Sequence, residues 1–381
     1  MESETGTMRQ HTEPDAATDQ IRPYCRGMLS AIMAVSIVML CGCSAVGPAA
    51  IREGRIAYNQ AITQTNNQQM LMNVIHNRYE ERSVLLAVAS VTANVRLTAA
   101  SAVQIGIGDR DNYVGNLVPF AGGAVYEENP TISYSVVEGE QYYRQLMLPV
   151  PVDSFAQLAR TLSSADHIYP ILISSVNHIQ NPEFLAPGEG PDPRFDRFVA
   201  IMSELKQAHR LDWMARPTPP GDYVLVINDY EKTYASQIDE LLDLLGLPMR
   251  QPGSNRIVIP IVRSHDGREE GGIGVTTRSV YDLVEILAAA VEIPERDQQA
   301  GAATEFPPMG RAGQALRIHF SESRPDDAYV AVPLRGGWFY IEDADLVTKR
   351  YFRVLTTLWG VAIAAGSGGS PSPVLTVPVS R

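Results

Sequence analysis

The amino-acid sequence predicts a protein of the α+β class. Three observations lead to this prediction: apolar and polar residues alternate in the first third of the chain, apolar residues recur at three- and four-residue spacing in the middle, and both periodicities occur in the last part. The chain has 381 residues, of which 45% are hydrophobic, so it can bury a sizeable core. We expect an N-terminal helix with antiparallel strands, a small helical unit and a C-terminal mixed α/β region.

The N-terminus has the order of a secretory signal peptide. Arg22 and Arg26 precede an uncharged and mostly apolar stretch, Met28–Leu40, and small residues follow it. A basic region, an apolar stretch and small residues at a cleavage site are typical of such signals, so we expect residues 1–42 to be removed. An uncleaved transmembrane anchor and a buried core helix are the alternatives. The anchor would also place the body outside the cytoplasm.

The end of this segment resembles the lipobox of bacterial lipoproteins. Leu40 lies three positions before Cys43 and Gly42 lies directly before it, while Cys41 departs from the more usual Ala or Ser. A thioether to diacylglycerol has to form before cleavage, which requires cysteine at position 43, and Gly42 lets the peptidase approach the backbone. Leu40 is too large to precede the modified residue, which excludes Cys41. Ser44 favours the outer membrane, by resemblance to the sorting rule of enteric bacteria.

Charge and cysteine content narrow the classes of function. The net charge is −12, and the residues before Cys43 contribute −2, so the mature part carries −10. Phosphate backbones and anionic lipids repel an acidic body, so we expect no nucleic-acid partner and membrane attachment through the lipid on Cys43. Cys25 and Cys41 precede Cys43. A lipidated mature chain therefore has no free thiol, and we expect neither a cysteine nucleophile nor a thiolate metal site.

Residues 43–55 are expected to form a lipid-anchored tether, and residues 56–150 an N-terminal helix followed by strands. The helix is predicted from apolar positions that share one side, and the strands from clean alternation. The predicted elements are a helix at 56–82, one long strand or a pair of strands at 91–107, and a strand at 131–137. A loop between the strands carries exposed apolar residues.

Residues 151–216 are expected to form a small helical unit. Asp153 is placed to cap one helix, and Asp192 followed by Pro193 is placed to begin another. A further apolar segment runs from Tyr169 to Ile179. A proline-rich segment that ends at Gly221 closes the unit.

Residues 221–381 are expected to form a mixed α/β region. Gly246 is placed to end one helix, and Ser279 with Asp282 to begin another. Pro333 and Pro378 favour strands at sheet edges. The predicted strands are Tyr223–Asn228, Arg256–Arg263, Ala315–Ser321, Tyr329–Pro333, Trp338–Ile341 and Pro373–Pro378, and the predicted helices are Ser236–Leu245, Ser279–Val291 and a helix from Asp345 to about Ile363.

Several short blocks of the sequence resemble a family of bacterial lipoproteins that is described only as hypothetical. The most specific blocks are Arg324-Pro-Asp-Asp-Ala-Tyr329 and Gly337-Trp-Phe-Tyr-Ile341. The resemblance covers about Gly47 to Val379. It implies a lipoprotein, and because it implies no activity it assigns no catalytic residue.

The C-terminal block also contains a candidate interaction surface. A hairpin is expected to set Arg335 beside Asp326 or Asp327, and a Trp and Tyr surface is able to bind a ligand or a protein. The alternative is an ordinary hairpin with a buried Trp and a satisfied ion pair. The candidate contact residues are Arg335, Trp338, Tyr340 and Phe120.

The sequence contains no linear motif for catalysis. It lacks a His-Glu-x-x-His pair, a nucleophile elbow and a complete dinucleotide fingerprint, so we predict no catalytic residue, no metal and no cofactor. We expect a membrane-anchored envelope lipoprotein that acts as a structural or protein-interaction subunit with other envelope proteins as partners. The alternatives are a lipoprotein that binds a ligand or a cell-wall fragment, and a carboxylate-based hydrolase, which needs no linear motif.

Overall fold

The structure, a computed structural model, describes residues 56–82, 85–92, 95–102, 121–128, 131–137, 140–161, 165–216, 223–228, 231–251, 253–262, 272–366 and 374–378. The chain divides into two units, Met1–Thr63 and Gln64–Arg381, and all contacts given below lie within the second unit. The signal segment, Cys43, the tether and Phe120 lie outside the described residues. The fold is of the α+β class, as the sequence predicts.

The described helices lie in the second unit, except that the N-terminal one begins in the first. They are α1 (residues 56–78), α2 (Glu140–Met147), α3 (Val152–Thr161), α4 (Ala165–Leu172), α5 (Pro193–Gln207), α6 (Glu231–Leu244), α7 (Val280–Ala289), α8 (Glu295–Gln299) and α9 (Leu346–Gly366).

The described strands fall into an N-terminal group, a central group and a C-terminal group. They are β1 (Leu85–Thr92), β2 (Val95–Ala102), β3 (Ala121–Glu128), β4 (Thr131–Val137), β5 (Ile173–Val176), β6 (Ile179–Gln180), β7 (Leu211–Ala215), β8 (Tyr223–Asn228), β9 (Arg256–Val262), β10 (Ile273–Thr277), β11 (His319–Ser321), β12 (Ala328–Leu334), β13 (Gly337–Glu342) and β14 (Val374–Pro378).

The largest described sheet is mixed and has the strand order β6-β5-β10-β9-β8-β7. β9 and β10 are parallel, and the other neighbouring strands are antiparallel. The smaller sheets, β1-β4-β14, β11-β13-β12 and β2-β3, are antiparallel. Pro333 in β12 and Pro378 in β14 both lie in edge strands of their sheets, as predicted, because proline has no N–H to give to a second neighbour.

The first predicted strand region corresponds to two strands in different sheets. β1 begins at Leu85, earlier than predicted, and pairs with β4, whereas β2 pairs with β3. β1 begins with five consecutive apolar residues, Leu85–Ala89, so alternation does not mark its start. Alternation also does not indicate where along the chain the pairing partner changes.

The prediction of a small helical unit at residues 151–216 is corrected by the structure. It contains α3, α4 and α5, but also β5, β6 and β7. The apolar segment Tyr169–Ile179 is divided, because α4 ends at Leu172 and β5 begins at Ile173. Apolar residues are fully buried in both elements, so their pattern does not distinguish helix from strand. The strand predicted at Ala315–Ser321 is shorter in the structure, where it begins at His319.

Several predicted helix ends are confirmed. The Asp192 side chain accepts a hydrogen bond from the backbone at the start of α5, with Pro193 in the first turn. Ser279 and Asp282 form a capping box at the start of α7, in which each side chain accepts from the other residue's backbone N–H. Gly246 has a φ of +65° after α6, a conformation that glycine adopts without strain.

Asp153 is not the cap of α3. The helix begins at Val152, and the carbonyl of Pro151 accepts the hydrogen bond from Phe155 N at 3.0 Å. Asp153 therefore lies inside the first turn, where an acidic side chain is still favoured by the helix dipole.

An aromatic cluster packs the helices of the central region against the mixed sheet. Phe155 of α3, Tyr169 of α4, Phe198 of α5 and Trp213 of β7 are each at most 1% exposed. The Trp213 indole N–H donates to the Tyr169 hydroxyl at 2.9 Å, which satisfies both polar atoms. The Phe155 ring meets Trp213 edge-on at 5.0 Å. This cluster fixes α3, α4 and α5 on one face of the sheet.

Arg278 completes the C-terminus of α4. It follows β10 and is 1% exposed. Its Nη1 donates to the carbonyls of Pro170, Ile171 and Ile173 at 2.7, 2.9 and 3.0 Å, and its backbone N–H donates to Leu172 O at 2.8 Å. The last carbonyls of a helix have no partner within the helix, and a positive charge is favoured there. One arginine therefore satisfies four consecutive carbonyls.

The rest of the Arg278 side chain joins further segments to this point. Its Nε donates to Glu183 Oε1 at 2.7 Å, and its Nη2 donates to the carbonyl of Asn181. The Asn181 amide in turn donates to the carbonyls of Pro170 and Ile173 at 3.1 and 2.6 Å. The carbonyl of Arg278 accepts from the residue 150 backbone N–H at 2.9 Å. The start of α3, the end of α4, the segment after β6 and the end of β10 thus meet at one residue.

We expect Arg278→Met to destabilise the protein by about 3–5 kcal/mol, because it leaves the part-buried Glu183 carboxylate and several buried carbonyls without a donor. Urea denaturation followed by tryptophan fluorescence measures the loss. Arg144→Met is the matched control, since Arg144 forms an exposed i,i+4 pair with Glu140 that contributes about 0.3–0.5 kcal/mol. Equal losses in the two variants would contradict the role given to Arg278.

Candidate functional site

An apolar cavity lies where the α2–α3 connection, the end of β10, the start of α7 and the C-terminal half of α9 meet. Its volume of about 510 Å³ lies within the roughly 300–1,000 Å³ of ligand pockets. The lining residues are Gln145, Leu148, Pro149, Val150, Pro151, Val152, Ser154, Val275, Thr276, Thr277, Val280, Leu358, Val361, Ala362 and Ala365.

The cavity opens among exposed apolar side chains. Leu148 and Val361, which both line it, are 50% and 53% exposed, and the neighbouring Met147 is 59% exposed. Tyr143 on the same helix as Met147 is also exposed, and α2 packs against α9. Contiguous exposed apolar surface around a cavity marks binding sites on soluble domains. No candidate functional residue was predicted in this region from the sequence.

A second feature, the turn between β12 and β13, is held in an unusual backbone conformation. Arg335 and Gly336 have φ values of +50° and +74°, and Leu334 pairs with Gly337 on either side of them. Positive φ at both central residues defines a type I′ hairpin turn. A non-glycine residue costs roughly 1–2 kcal/mol in this conformation. The contacts of the Arg335 side chain offset that cost.

The sequence predicts that Arg335 pairs with Asp326 or Asp327, but in the structure it pairs with neither. Its Nε donates to Asp297 Oδ2 at 3.0 Å and its Nη1 to Glu81 Oε1 at 2.7 Å. The two predicted partners precede β12 whereas Arg335 follows it, and seven residues of strand span roughly 23 Å. The predicted ion pair is therefore wrong because its members lie at opposite ends of one strand.

The Arg335 guanidinium also completes a small buried cluster. Its Cζ lies 4.1 Å from the centroid of the Tyr79 ring, and the Tyr79 hydroxyl donates to Asp297 Oδ2 at 2.9 Å. Burial raises the pKa of Tyr79, and so does the adjacent Asp297 carboxylate, so the hydroxyl remains a donor. Burial disfavours ionisation of Asp297, but hydrogen bonds from Arg335 and Tyr79 outweigh it and hold the pKa of this carboxyl below its ordinary value. The cluster stabilises the hairpin turn against α1 and α8.

The outer face of the β11-β13-β12 sheet, defined here by His319, Trp338, Tyr340 and Pro333, carries the predicted aromatic residues. Trp338 pairs with Pro333 on one side, and Tyr340 pairs with His319 on the other. Both aromatic residues are half-buried, and Pro333 is exposed. The alternative of an ordinary hairpin is therefore wrong about a buried Trp338, although its satisfied ion pair is present, between Arg335 and Asp297.

Charged groups border this outer face. The Arg324 guanidinium lies 5.4 Å above the Trp338 ring, and the His319 ring lies 5.5 Å from that of Tyr340. His319 Nδ1 is 2.8 Å from Glu292 Oε1. The face thus offers aromatic surface, a stacked cation and a carboxylate–imidazole pair within one small sheet. Such a combination is chemically able to make both packing and charged contacts.

The inner face of the same sheet is part of the core. Val330, Val332, Phe339 and Ile341 are at most 4% exposed, and Phe339 meets the Tyr79 ring edge-on at 6.4 Å. The outer side chains therefore stand on a rigid support. Strand alternation, which places residues 338 and 340 on one face and 339 and 341 on the other, was readable from the sequence.

Sequence reasoning located only part of these sites. Trp338 and Tyr340 share one surface as predicted, but Arg335 lies in the turn and contributes to the buried cluster instead. Phe120 and the lipobox residues Leu40, Cys41, Gly42 and Cys43 lie outside the described residues. Asp297, which follows the start of α8, was missed because its partners are distant in the sequence.

One described carboxyl group has a raised pKa. Glu285 on α7 is partly buried, and burial together with the nearby charges of Asp282, Glu80 and Glu183 raises its pKa. Glu285 lines neither the cavity nor the outer face of the sheet. Among the described residues no three His, Cys, Asp or Glu side chains converge as potential metal ligands. Within the same residues no helix is long and apolar enough to span a membrane.

Comparisons with known proteins leave the chain without an assigned relative. No family model, no curated protein and no solved structure matches it.

We expect Asp297→Asn to flatten the acid dependence of stability. Because the folded-state pKa is lowered, the contribution of this carboxylate is present above the unfolded pKa of about 3.9 and is lost as pH falls through the folded value. The difference in unfolding free energy between wild type and Asp297→Asn should therefore be larger at neutral pH than in acid. Urea denaturation across this pH range measures it.

Arg335→Asn is the companion variant. Asparagine tolerates positive φ, so the turn is retained while the guanidinium is removed. It should also reduce the acid dependence, because Asp297 then loses its main stabilising donor. A wild-type acid dependence in both variants would contradict the lowered pKa.

Proposed function

We propose that this protein is a lipid-anchored envelope lipoprotein that acts as a protein-interaction subunit, held by a lipid on Cys43 to the periplasmic face of the outer membrane. The signal-like segment before Cys43 and the lipobox resemblance of Leu40–Cys43 support the anchor. The partners are other envelope proteins.

The observation that carries the interaction role is the outer face of the β11-β13-β12 sheet. Trp, Tyr and Arg are the residue types that contribute most to binding energy in protein interfaces. Here Trp338, Tyr340 and Arg324 lie together, with the guanidinium already stacked on the indole. This supports a role in contacting a protein surface.

The rigid support beneath this face favours binding. The intervening strand residues Phe339 and Ile341 are fully buried, and the hairpin turn is fixed through Arg335 to Asp297. Side chains that are already held in place lose little further conformational entropy on association. The face is therefore suited to a partner whose surface is equally fixed.

A lipid anchor supports the same role by a different physical route. Tethering confines the body to the membrane surface, which raises its effective concentration towards other envelope proteins. A weak interface of small area then suffices. The acidic mature chain, with its net charge of −10, favours partners that present basic surface.

We expect the double variant Trp338→Ala, Tyr340→Ala to lose its partners. Truncation of a binding hot spot costs about 2 kcal/mol or more, which is roughly a thirtyfold weaker affinity. Crosslinking on intact cells, followed by detergent extraction, affinity purification and mass spectrometry, measures the yield of each partner. Met249→Ala is the control, because Met249 is exposed but belongs neither to this face nor to the cavity lining. An unchanged crosslink pattern in the double variant would exclude this face as the interface.

The anchor is tested separately. In the wild type we expect the N-terminal peptide to begin at a diacylated Cys43, whereas Cys43→Ser should remain unmodified and retain Met28–Leu40. Mass spectrometry of the N-terminal peptide distinguishes the two. Cys41→Ser is the matched control and should be lipidated normally. A wild-type peptide that is unmodified and still contains Met28–Leu40 would refute the lipoprotein assignment.

A further inference from the structure

We propose that the apolar cavity between α2, β10 and α9 binds the unbranched acyl chain of a single-chain amphiphile such as a fatty acid. The site is separate from the outer face of the β11-β13-β12 sheet and does not depend on the function proposed for that face. Its central wall residues, Val150, Val275, Val280 and Leu358, are aliphatic and at most 6% exposed.

The chemistry of the lining favours an alkyl chain over a ring. Among the described residues that form the cavity none is aromatic. Sugar rings and other planar ligands are bound by stacking on aromatic side chains together with several polar contacts. A methylene chain requires neither. Its binding free energy comes from apolar surface removed from water, which these side chains provide.

The shortage of hydrogen-bonding groups favours a lipid chain over a peptide. A bound peptide brings N–H and C=O groups that are costly to bury without partners. The hydroxyl of Thr277, one of the few polar lining groups, already donates to the Val150 carbonyl at 2.6 Å. A chain of methylene groups has no such groups to satisfy.

The size of the cavity fits one chain. Its volume is about 510 Å³. If each methylene group takes about the 30 Å³ of a water molecule in the liquid, the cavity accommodates roughly seventeen of them. The exposed Leu148 and Val361 at the opening extend the apolar surface outward, so the chain enters between α2 and α9. The polar head group then remains at the surface, near Gln145 and Ser154.

Photo-crosslinking tests this proposal on the full-length protein in phosphatidylcholine nanodiscs, because detergents are themselves single-chain amphiphiles. A diazirine-bearing fatty acid is added, the sample is irradiated, and labelled peptides are mapped by mass spectrometry. We expect label on the peptides that contain Leu148–Val152 and Leu358–Ala365. A large molar excess of palmitate should reduce it about tenfold by mass action.

Cavity-filling variants identify the site of labelling. Ala362→Phe and Ala365→Phe should each lower the label on both peptides, because the new ring occupies the space of the chain. Ala362 is buried, whereas Ala365 is exposed, so Ala365→Phe remains informative if the first variant does not fold. Val347→Phe is the control, since Val347 is exposed on the same helix but does not line the cavity.

Three results would overturn the proposal. Label that palmitate does not reduce would mean non-specific insertion. Equal label in wild type and in a folded Ala365→Phe variant would place the chain elsewhere. Label from a diazirine-bearing phosphatidylcholine in the nanodisc, with none from the fatty acid, would mean that α2 and α9 contact the bilayer and that no single chain enters the cavity.

Discussion

The buried Arg278 side chain is the interaction on which the central part of this fold depends. α4 and β5 follow one another without a connecting loop, so the carbonyls at their junction have neither a helical turn nor a complete ladder to accept from. Arg278 supplies the donors, and Glu183 balances its charge at 2.7 Å. The direct passage from helix to strand is possible because a residue of a third element lies beside it. The position of β10 in the sheet and the course of the chain after β6 follow from the same contact.

The two candidate surfaces differ in their relation to this arrangement. The apolar cavity lies directly beside Arg278. The Val150 N–H donates to the Arg278 carbonyl, and Val275 belongs to β10, the strand that Arg278 follows. The aromatic face lies on a separate sheet and is fixed by a second arginine, Arg335, whose strained turn is held by Asp297 and Tyr79. In both places a guanidinium with several donors joins segments that are distant in the sequence.

Features that depend on neighbours in the sequence could be predicted, and features that depend on distant residues could not. The caps Asp192 and Ser279 and the edge position of Pro333 follow from the preferences of single residues within one turn or strand. The α+β class follows from the periodicities. The partners of Arg335 are 38 and 254 residues away, and no local pattern indicates them. The cavity is likewise assembled from three separate segments, each of which looks in the sequence like ordinary core.

Because Arg278 is synthesised after α4, the contact between them forms late in synthesis. The carbonyls at the end of α4 bind a guanidinium that lies 105–108 residues further along the chain. At about 5–20 residues per second, a growing chain contains α4 for roughly 5–20 seconds before Arg278 has been made. During that interval the last carbonyls of α4 lack the guanidinium that satisfies them in the folded protein. The C-terminus of α4 is therefore completed only after β10 has been made.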